Sequence, residues 1–233
     1  MLTPQFRLPE SQRPRALVGC ECSGAVRRAL RSRGWDAWSC DLKPAEDGDP
    51  HHIHGDVLAV LRDGWDLGIF HPVCTRLANS GVRWLNAPPP GRTVMDMWRE
   101  LEEGAKFYCA LRDAPIPYRA IENPVMHSHA RHIINPGPRQ VVQPWWFGDP
   151  FFKATGFELV NLPPLVPTNR LTPPKAGTAE HVAWSAVHRE PPGPERKANR
   201  SRTFPGVADA LAEQWGGYVM AKLQTMQEVH ESP

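Results

Sequence analysis

The feature that most restricts this chain is a repetition near its start. Three short apolar runs each stop at a small or polar residue. Ala16 to Val18 stops at Gly19, Trp35 to Cys40 stops at Asp41, and Trp65 to Phe70 stops at His71-Pro72. Apolar runs this short, bounded by turn residues, predict buried strands. Between the first two, Ala25 to Arg33 places Val26, Ala29 and Leu30 at helical spacing, with arginines on the opposite face and Gly34 as the stop. A short helical stretch follows Asp56 and ends at Leu61. Strand, glycine-bearing turn, helix, strand, helix, strand is the pattern of an α/β chain with an open, mostly parallel sheet. In such sheets ligands sit at the carboxyl ends of the strands.

The rest of the chain extends that pattern. Val94 to Arg112 is the best helix, with Met97, Leu101, Phe107, Tyr108 and Leu111 set among charged residues and Pro115 and Pro117 as stops. Tyr118 to Ile121 predicts a further strand that delivers Glu122-Asn123. Phe157 to Leu162 predicts another, and Val207 to Leu223 a last helix. Asn79 to Thr93 reads as loop, and Pro136 to Phe152 as an irregular Pro/Gly/Trp-rich stretch. Pro163 to Pro205 reads as a long irregular excursion that turns basic at its end. Proline, at 26 of 233 residues, is about twice its usual ~5% and keeps the regular elements short.

Composition excludes several function classes. No apolar run approaches the ~20 residues of a spanning helix, and Met1 to Arg15 is too polar for a secretory signal. A formal charge of +2 argues against a strong polyelectrolyte binder while leaving room for a local basic patch. The five cysteines, Cys20, Cys22, Cys40, Cys74 and Cys109, are odd in number and lack zinc spacing. This points to a reducing cytoplasm without a disulfide framework. His51, His52 and His54 lack a carboxylate or cysteine at ligand spacing and read as a solvated loop, as do His127 and His129. No metal is expected.

Three strand ends carry candidate chemistry. Gly19-Cys-Glu-Cys-Ser-Gly24 is either an ordinary tight turn or a turn that lets a ligand approach the backbone and a helix N-terminus. Asp41 and Asp56 are either helix or turn caps or ribose-binding acids. Cys74 lies just past a strand end, placed like a nucleophile or else a buried inert thiol. A thiol with an ordinary pKa near ~8.5 needs help to ionise at neutral pH, and Arg83 or backbone donors could supply it. Glu122, delivered by a neighbouring strand, shifts the balance. A thiolate can add to an electron-poor heteroaromatic ring while an acid stabilises the ring nitrogen.

The set resembles the cytosine-5 DNA methyltransferase family in its reduced phage and prophage form. That family carries a Pro-Pro-Cys-Gln-x-Phe-Ser-x-x-Gly loop; this chain has Pro-Val-Cys-Thr-Arg-Leu-Ala-Asn-Ser-Gly from Pro72 to Gly81. The family's Glu-Asn-Val is matched by Glu122-Asn123-Pro124-Val125. Its strand into Gly-x-Gly-Gly is paralleled by Glu21-Cys22-Ser23-Gly24. Order and approximate spacing agree from Leu17 to Val125. The resemblance implies an open Rossmann-like methyltransferase sheet with helices on both faces, and a proline-rich irregular segment beside it. It implies a tail (1–14), an S-adenosylmethionine-binding catalytic domain (15–162), a reduced basic target-recognition segment (163–203) and a carboxyl-terminal helix packing back on the core (204–226).

It also implies roles. Cys74 would attack carbon 6 of a flipped-out cytosine in double-stranded DNA, Glu122 would contact nitrogen 3 and the exocyclic amine, and Asn123 would order the catalytic loop. Gly19, Glu21, Ser23, Gly24, Asp41, Asp56 and Pro72 would surround S-adenosylmethionine. Val73 and Thr75 stand where the family has proline and glutamine. No Gln-x-Arg-x-Arg motif is present, and Lys153 is the nearest counterpart of its arginine. Arg76, Arg83, Arg189, Arg196, Lys197, Arg200 and Arg202 would face DNA, or else form a solvated basic surface. The Trp145-Trp146-Phe147 cluster is either core packing or a stacking platform. Three competitors stay open: exocyclic-amino methylation, modification of a nucleotide or RNA, and a non-catalytic nucleic-acid binder. The sequence assigns no oligomeric state.

Overall fold

The computed structural model describes residues 13–123, 125–193 and 196–231. Its strands are β1 (Arg15–Gly19), β2 (Asp36–Asp41), β3 (His52–His54), β4 (Leu67–Phe70), β5 (Tyr118–Glu122), β6 (Arg139–Val142) and β7 (Thr155–Val160). They form one sheet in the order β3-β2-β1-β4-β5-β7-β6. The first five strands in that order pair in parallel, while β7 is antiparallel to both β5 and β6.

The helices are α1 (Ala25–Ser32), α2 (Val94–Arg112), α3 (Ser128–Ile134), α4 (Ala179–Trp184), α5 (Ala186–Arg189), α6 (Arg196–Ser201), α7 (Pro205–Ala210) and α8 (Gly217–Glu231). A π-helical segment, Leu211–Gly216, joins α7 to α8, so the predicted last helix forms as one winding run. On one sheet face α1 and the carboxyl-terminal run enclose Val26, Leu30, Trp35, Phe157 and Trp215. The Trp215 indole N–H donates to the Pro163 carbonyl at 2.9 Å, which removes the cost of burying that donor. On the other face α2 and α3 cover Leu17, Phe70 and Ile121. The buried residues of α2, Met97, Leu101, Ala105, Tyr108 and Leu111, recur every three or four positions. Thr93 and Asp96 close its first turn with a reciprocal capping box.

The strands and α2 lie where the sequence places them, within two residues at most boundaries. Five stretches differ. His52–His54 is an edge strand rather than a solvated loop, because His52 is fixed on both sides, by Ser39 Oγ at 2.8 Å and the Lys43 carbonyl at 2.8 Å. The Pro136–Phe152 stretch contains β6, whose four residues are too few for a periodic signal and depend on pairing with β7. The following strand starts two residues early, at Thr155, and ends at Val160. Ser128–Ile134 forms α3, and the 163–205 excursion carries α4, α5 and α6. No helix among the described residues is long and apolar enough to cross a membrane.

Candidate active site at the carboxyl ends of the strands

Strand register assembles the site. Gly19 is level with Cys40 and Phe70, and Phe70 with Ile121. The next residue on each strand, Cys20, Asp41, His71 and Glu122, therefore emerges along one sheet edge. Because β7 runs the opposite way, its start reaches that same edge: Phe157 is level with Glu122, and Thr155 and Lys153 precede it.

The loop that carries Cys74 leaves β4 at Pro72, which is buried. Leu77 and Ala78 N–H both donate to the Cys74 carbonyl, folding the loop back on itself. The segment after Glu122-Asn123 stitches it down. Asn79 N–H donates to the Val125 carbonyl, His127 N–H to the Leu77 carbonyl, and His127 Nε2 pairs with the Arg76 carbonyl at 2.7 Å. Asn123 is fully buried, and its side-chain amide has no partner among the described residues. Gly81 ends the loop, where any β-carbon would meet the Thr75 carbonyl oxygen at 2.0 Å.

His71 Nδ1 lies 3.2 Å from Glu122 Oε2. Burial pushes the Glu122 carboxyl up, but the hydrogen bond and charge of His71, with the Lys153 charge, hold it below its ordinary value. Burial lowers the Lys153 ammonium, against the opposing pull of Glu122 and Cys74. Burial and the Glu122 charge raise the Cys74 thiol, with Lys153 and Arg200 pulling the other way. Glu122, Cys74 and Lys153 are thus within electrostatic reach of one another. At rest the thiol is protonated, and the two cations are what favour its ionisation. Cys20, by contrast, is pushed up to about 12 by burial and by Asp41, and Cys40 to about 11. Neither is poised as a nucleophile.

A cleft of about 280 Å³, counting its open mouth, lies between His71, Glu122, Lys153, Thr155 and the strap of Thr203 and Phe204. Cys74 is not part of its lining. Lys153 Nζ donates to the Arg202 carbonyl at 2.8 Å, and Phe204 stacks on Phe151 at 4.6 Å, so the strap closes one side. In the cytosine-5 reading of the sequence, His71, Thr203 and Phe204 had no assigned role. Only the position of His71 directly before Pro72 was a usable signal.

On the neighbouring strand ends, Gly24 adopts φ 69° as the N-cap of α1. Glu21 is buried. Its Oε1 accepts from Ser23 Oγ at 2.7 Å and from Val26 N–H, and its Oε2 has no partner among the described residues. Gly19 is required by packing, since a β-carbon there would lie 2.5 Å from the Phe70 ring. Asp41 Oδ1 accepts from Lys43 N–H, and Asp56 caps the short 3₁₀ turn Val57–Val60 through Leu58 N–H. The loop after β2 folds onto the turn between β1 and α1: Glu46 N–H donates to the Cys22 carbonyl, and Asp47 holds the buried Arg27 at 2.5 Å.

The basic residues divide. Arg76 is 2.6 Å from Glu100, which also holds Arg92, and so braces the loop against α2. Arg83 lies over its neighbour Trp84. Arg196 donates to the Glu190 carbonyl, and Arg202 pairs with Glu46 at 3.3 Å. Arg189 and Arg200 are exposed. The side chain of Lys197 lies outside the described residues, as does Pro124. Trp145 and Trp146 pack edge to face with Arg170 over both rings. No group of three or more metal-ligating side chains occurs among the described residues.

The strand order, with its reversed strand second from the edge and its polar groups at the carboxyl ends, is that of a Rossmann-like methyltransferase sheet. No protein-family model matches the chain, and no curated protein does. Among solved structures it is similar to a protein described as a DNA modification methyltransferase encoded within an E. coli prophage (13% identity, TM-score 0.45, 68% of this chain and 52% of that one). It is similar to the Entamoeba histolytica methyltransferase EhMeth (12%, 0.45, 70% and 56%). It is also similar to a triple mutant of Spodoptera frugiperda DNMT2 (12%, 0.39, 69% and 57%). The chain spans little more than half the length of each.

Proposed function

We propose that this chain methylates carbon 5 of cytosine in DNA, with Cys74 as nucleophile and Glu122 as the group that binds the ring nitrogen side of the base. The observation that carries the reading is the convergence of Cys74, Glu122 and Lys153, near enough for the charge of each to act on the others, with His71 3.2 Å from Glu122. The target base would leave the duplex to reach it, at a few kcal/mol for lost pairing and stacking.

The chain's own groups then act in order. Glu122 accepts a hydrogen bond from the exocyclic amine and, once nitrogen 3 has taken up a proton, from that N–H as well. Lys153 and Arg200 favour the Cys74 thiolate, which bonds to carbon 6. The ring electrons move to carbon 5, which becomes nucleophilic and takes the methyl group. Loss of the carbon-5 proton to a base expels the thiolate and restores the ring.

S-adenosylmethionine would supply an electrophilic methyl group on a sulfonium. The residues at the ends of β1 and β2 fit it. Glu21 Oε2 is a buried acceptor without a partner among the described residues, and Asp41 stands on the adjacent strand beside the exposed apolar Leu42. Asp56, occupied as a cap, keeps one carboxylate oxygen for the adenine side. The strap with Arg200 and Arg202, together with Arg189, forms the face offered to phosphates.

The test is mass spectrometry of nucleosides from DNA of cells expressing the wild-type chain, beside Cys74→Ser. The expected result is 5-methylcytosine in the first and none in the second. Methyl on an exocyclic amine would remove Cys74 from its role, and unmodified DNA in both would refute the reading.

A further inference from the structure

We infer that His127 is a positioning residue for the nucleophile: its imidazole and its main-chain N–H together clamp the Cys74 loop to the start of α3, which fixes where the thiol stands relative to Glu122. The inference rests on the methyltransferase reading above and adds to it a residue that acts through the loop rather than on the base.

The sequence places His127 in a solvated loop, but the residue is buried, only 3% exposed. Backbone groups hold it on both sides. Its main-chain N–H donates to the Leu77 carbonyl at 3.1 Å, and its carbonyl accepts from Arg131 N–H at 3.0 Å. On the ring, Nδ1 accepts from Ala130 N–H at 3.1 Å, which makes His127 the N-cap of α3. A backbone N–H can only donate, so Nδ1 offers its lone pair and the ring hydrogen sits on Nε2. Nε2 lies 2.7 Å from the Arg76 carbonyl, which can only accept. Each ring nitrogen therefore meets the partner that its state suits.

The clamp bears on the nucleophile through a tight turn. Leu77 and Ala78 N–H donate to the Cys74 carbonyl at 3.0 and 2.9 Å, and the two carbonyls that His127 holds, those of Arg76 and Leu77, belong to that same turn. Arg76 is thereby fastened twice, by its side chain to Glu100 on α2 and by its carbonyl to His127. In the other direction, His127 lies five residues after Glu122. The span between them is pinned to the loop by Asn79 N–H on the Val125 carbonyl at 2.9 Å and by the bridge between Ala78 and Met126. Nucleophile and acid thus share one short frame, with His127 at its far end. The side chain of Asn123, which the sequence suggests for ordering this loop, makes no hydrogen bond among the described residues. A reacting group displaced by about 1 Å loses about 10²-fold in rate, so the frame governs the chemistry without touching the base.

Two substitutions separate the clamp from the cap. Asparagine presents its side-chain oxygen where Nδ1 stands, so His127→Asn keeps the cap on Ala130 N–H but falls short of the Arg76 carbonyl. Glutamine presents its side-chain nitrogen where Nε2 stands, so His127→Gln keeps that reach and loses the cap. Each variant gives up one hydrogen bond, so their Tm values should fall alike. Their chemistry should not. The full chain with S-adenosylmethionine is mixed with duplex DNA containing 5-fluorocytosine, whose fluorine replaces the proton that must leave, so the adduct persists on a denaturing gel. His127→Asn should slow the maximal rate of capture by about tenfold or more, with the half-saturating DNA concentration unchanged, while His127→Gln stays near the wild-type rate. Hydrogen exchange reads the clamp without activity. The Leu77 and Ala78 amides should exchange about tenfold faster in His127→Asn and the Ala130 amide in His127→Gln, each alone. Equal capture by the two variants, or exchange that rises in both segments together, would make His127 merely structural and overturn the inference while leaving the methyltransferase reading intact. A His127→Asn protein that does not fold would also overturn it, since the clamp would then be inseparable from the fold. Wild-type protein that captures no DNA would overturn the methyltransferase reading, and the exchange pattern would then decide the clamp by itself.

Discussion

Gly81→Ala tests how tightly the loop that carries Cys74 is built. A β-carbon at position 81 would lie 2.0 Å from the Thr75 carbonyl oxygen and 3.1 Å from its carbon, both backbone atoms. Carbon and oxygen settle at about 3.3 Å, so the loop must open by about 1.3 Å at Thr75, the residue after Cys74. Misplacing a reacting group by about 1 Å costs about 10²-fold in rate. Overpacking of this kind also costs about 1–3 kcal/mol, which lowers Tm by about 2–4 °C per kcal/mol in a chain of this size. Gly81→Ala should therefore slow covalent capture on DNA containing 5-fluorocytosine by about 10²-fold, read as adduct on a denaturing gel. Its melting transition by circular dichroism should fall by a few degrees. Gly217→Ala is the control. Position 217 has helical φ and ψ and open space around its would-be β-carbon, so that variant should keep the rate and gain slightly in stability. A Gly81→Ala protein with wild-type rate and wild-type Tm would refute the close-approach argument.

Two further predictions concern charge. Glu122 raises the Cys74 thiol and Lys153 lowers it, so at fixed pH Glu122→Gln should speed alkylation of Cys74 by iodoacetamide and Lys153→Met should slow it. Peptide mass mapping reads the site, and opposite or equal shifts would contradict the proposed charge arrangement. Burial pushes the Asp47 carboxyl up, but hydrogen bonds from Arg27, Arg28 and the backbone outweigh it and hold the group at about 2. A depressed carboxylate stabilises the fold above its unfolded value near ~3.9, and that contribution is lost as pH falls toward about 2. The Tm difference between wild type and Asp47→Asn should thus be full near pH 6 and vanish by about pH 2. A pH-independent difference would show that the Arg27 pairing is not its source.

Much of the site was legible because its residues sit where local pattern changes. Cys74 and Glu122 each follow a short apolar run that ends in a turn, and period and punctuation are properties of neighbouring residues. The same holds for α2, whose apolar spacing and Thr93-Asp96 cap are contained in one segment. His71 carried only a weak local signal, since a histidine before a proline has many uses. Its significance comes from Glu122, fifty-one positions away.

The sequence by itself determined the alternation of strands and helices, the apolar faces of α1 and α2, and the order of the polar strand ends. Each is encoded within a few residues. Tertiary structure alone decided that β7 runs backward, bringing Lys153 and Thr155 to the edge that already holds His71 and Glu122. It likewise decided that Arg76 is held by Glu100, that the histidine tract becomes an edge strand, and that the strap at Thr203 and Phe204 closes the cleft. Those outcomes depend on pairing between residues far apart in the chain, and no local periodicity records which partner a strand, a charge or a loop will meet.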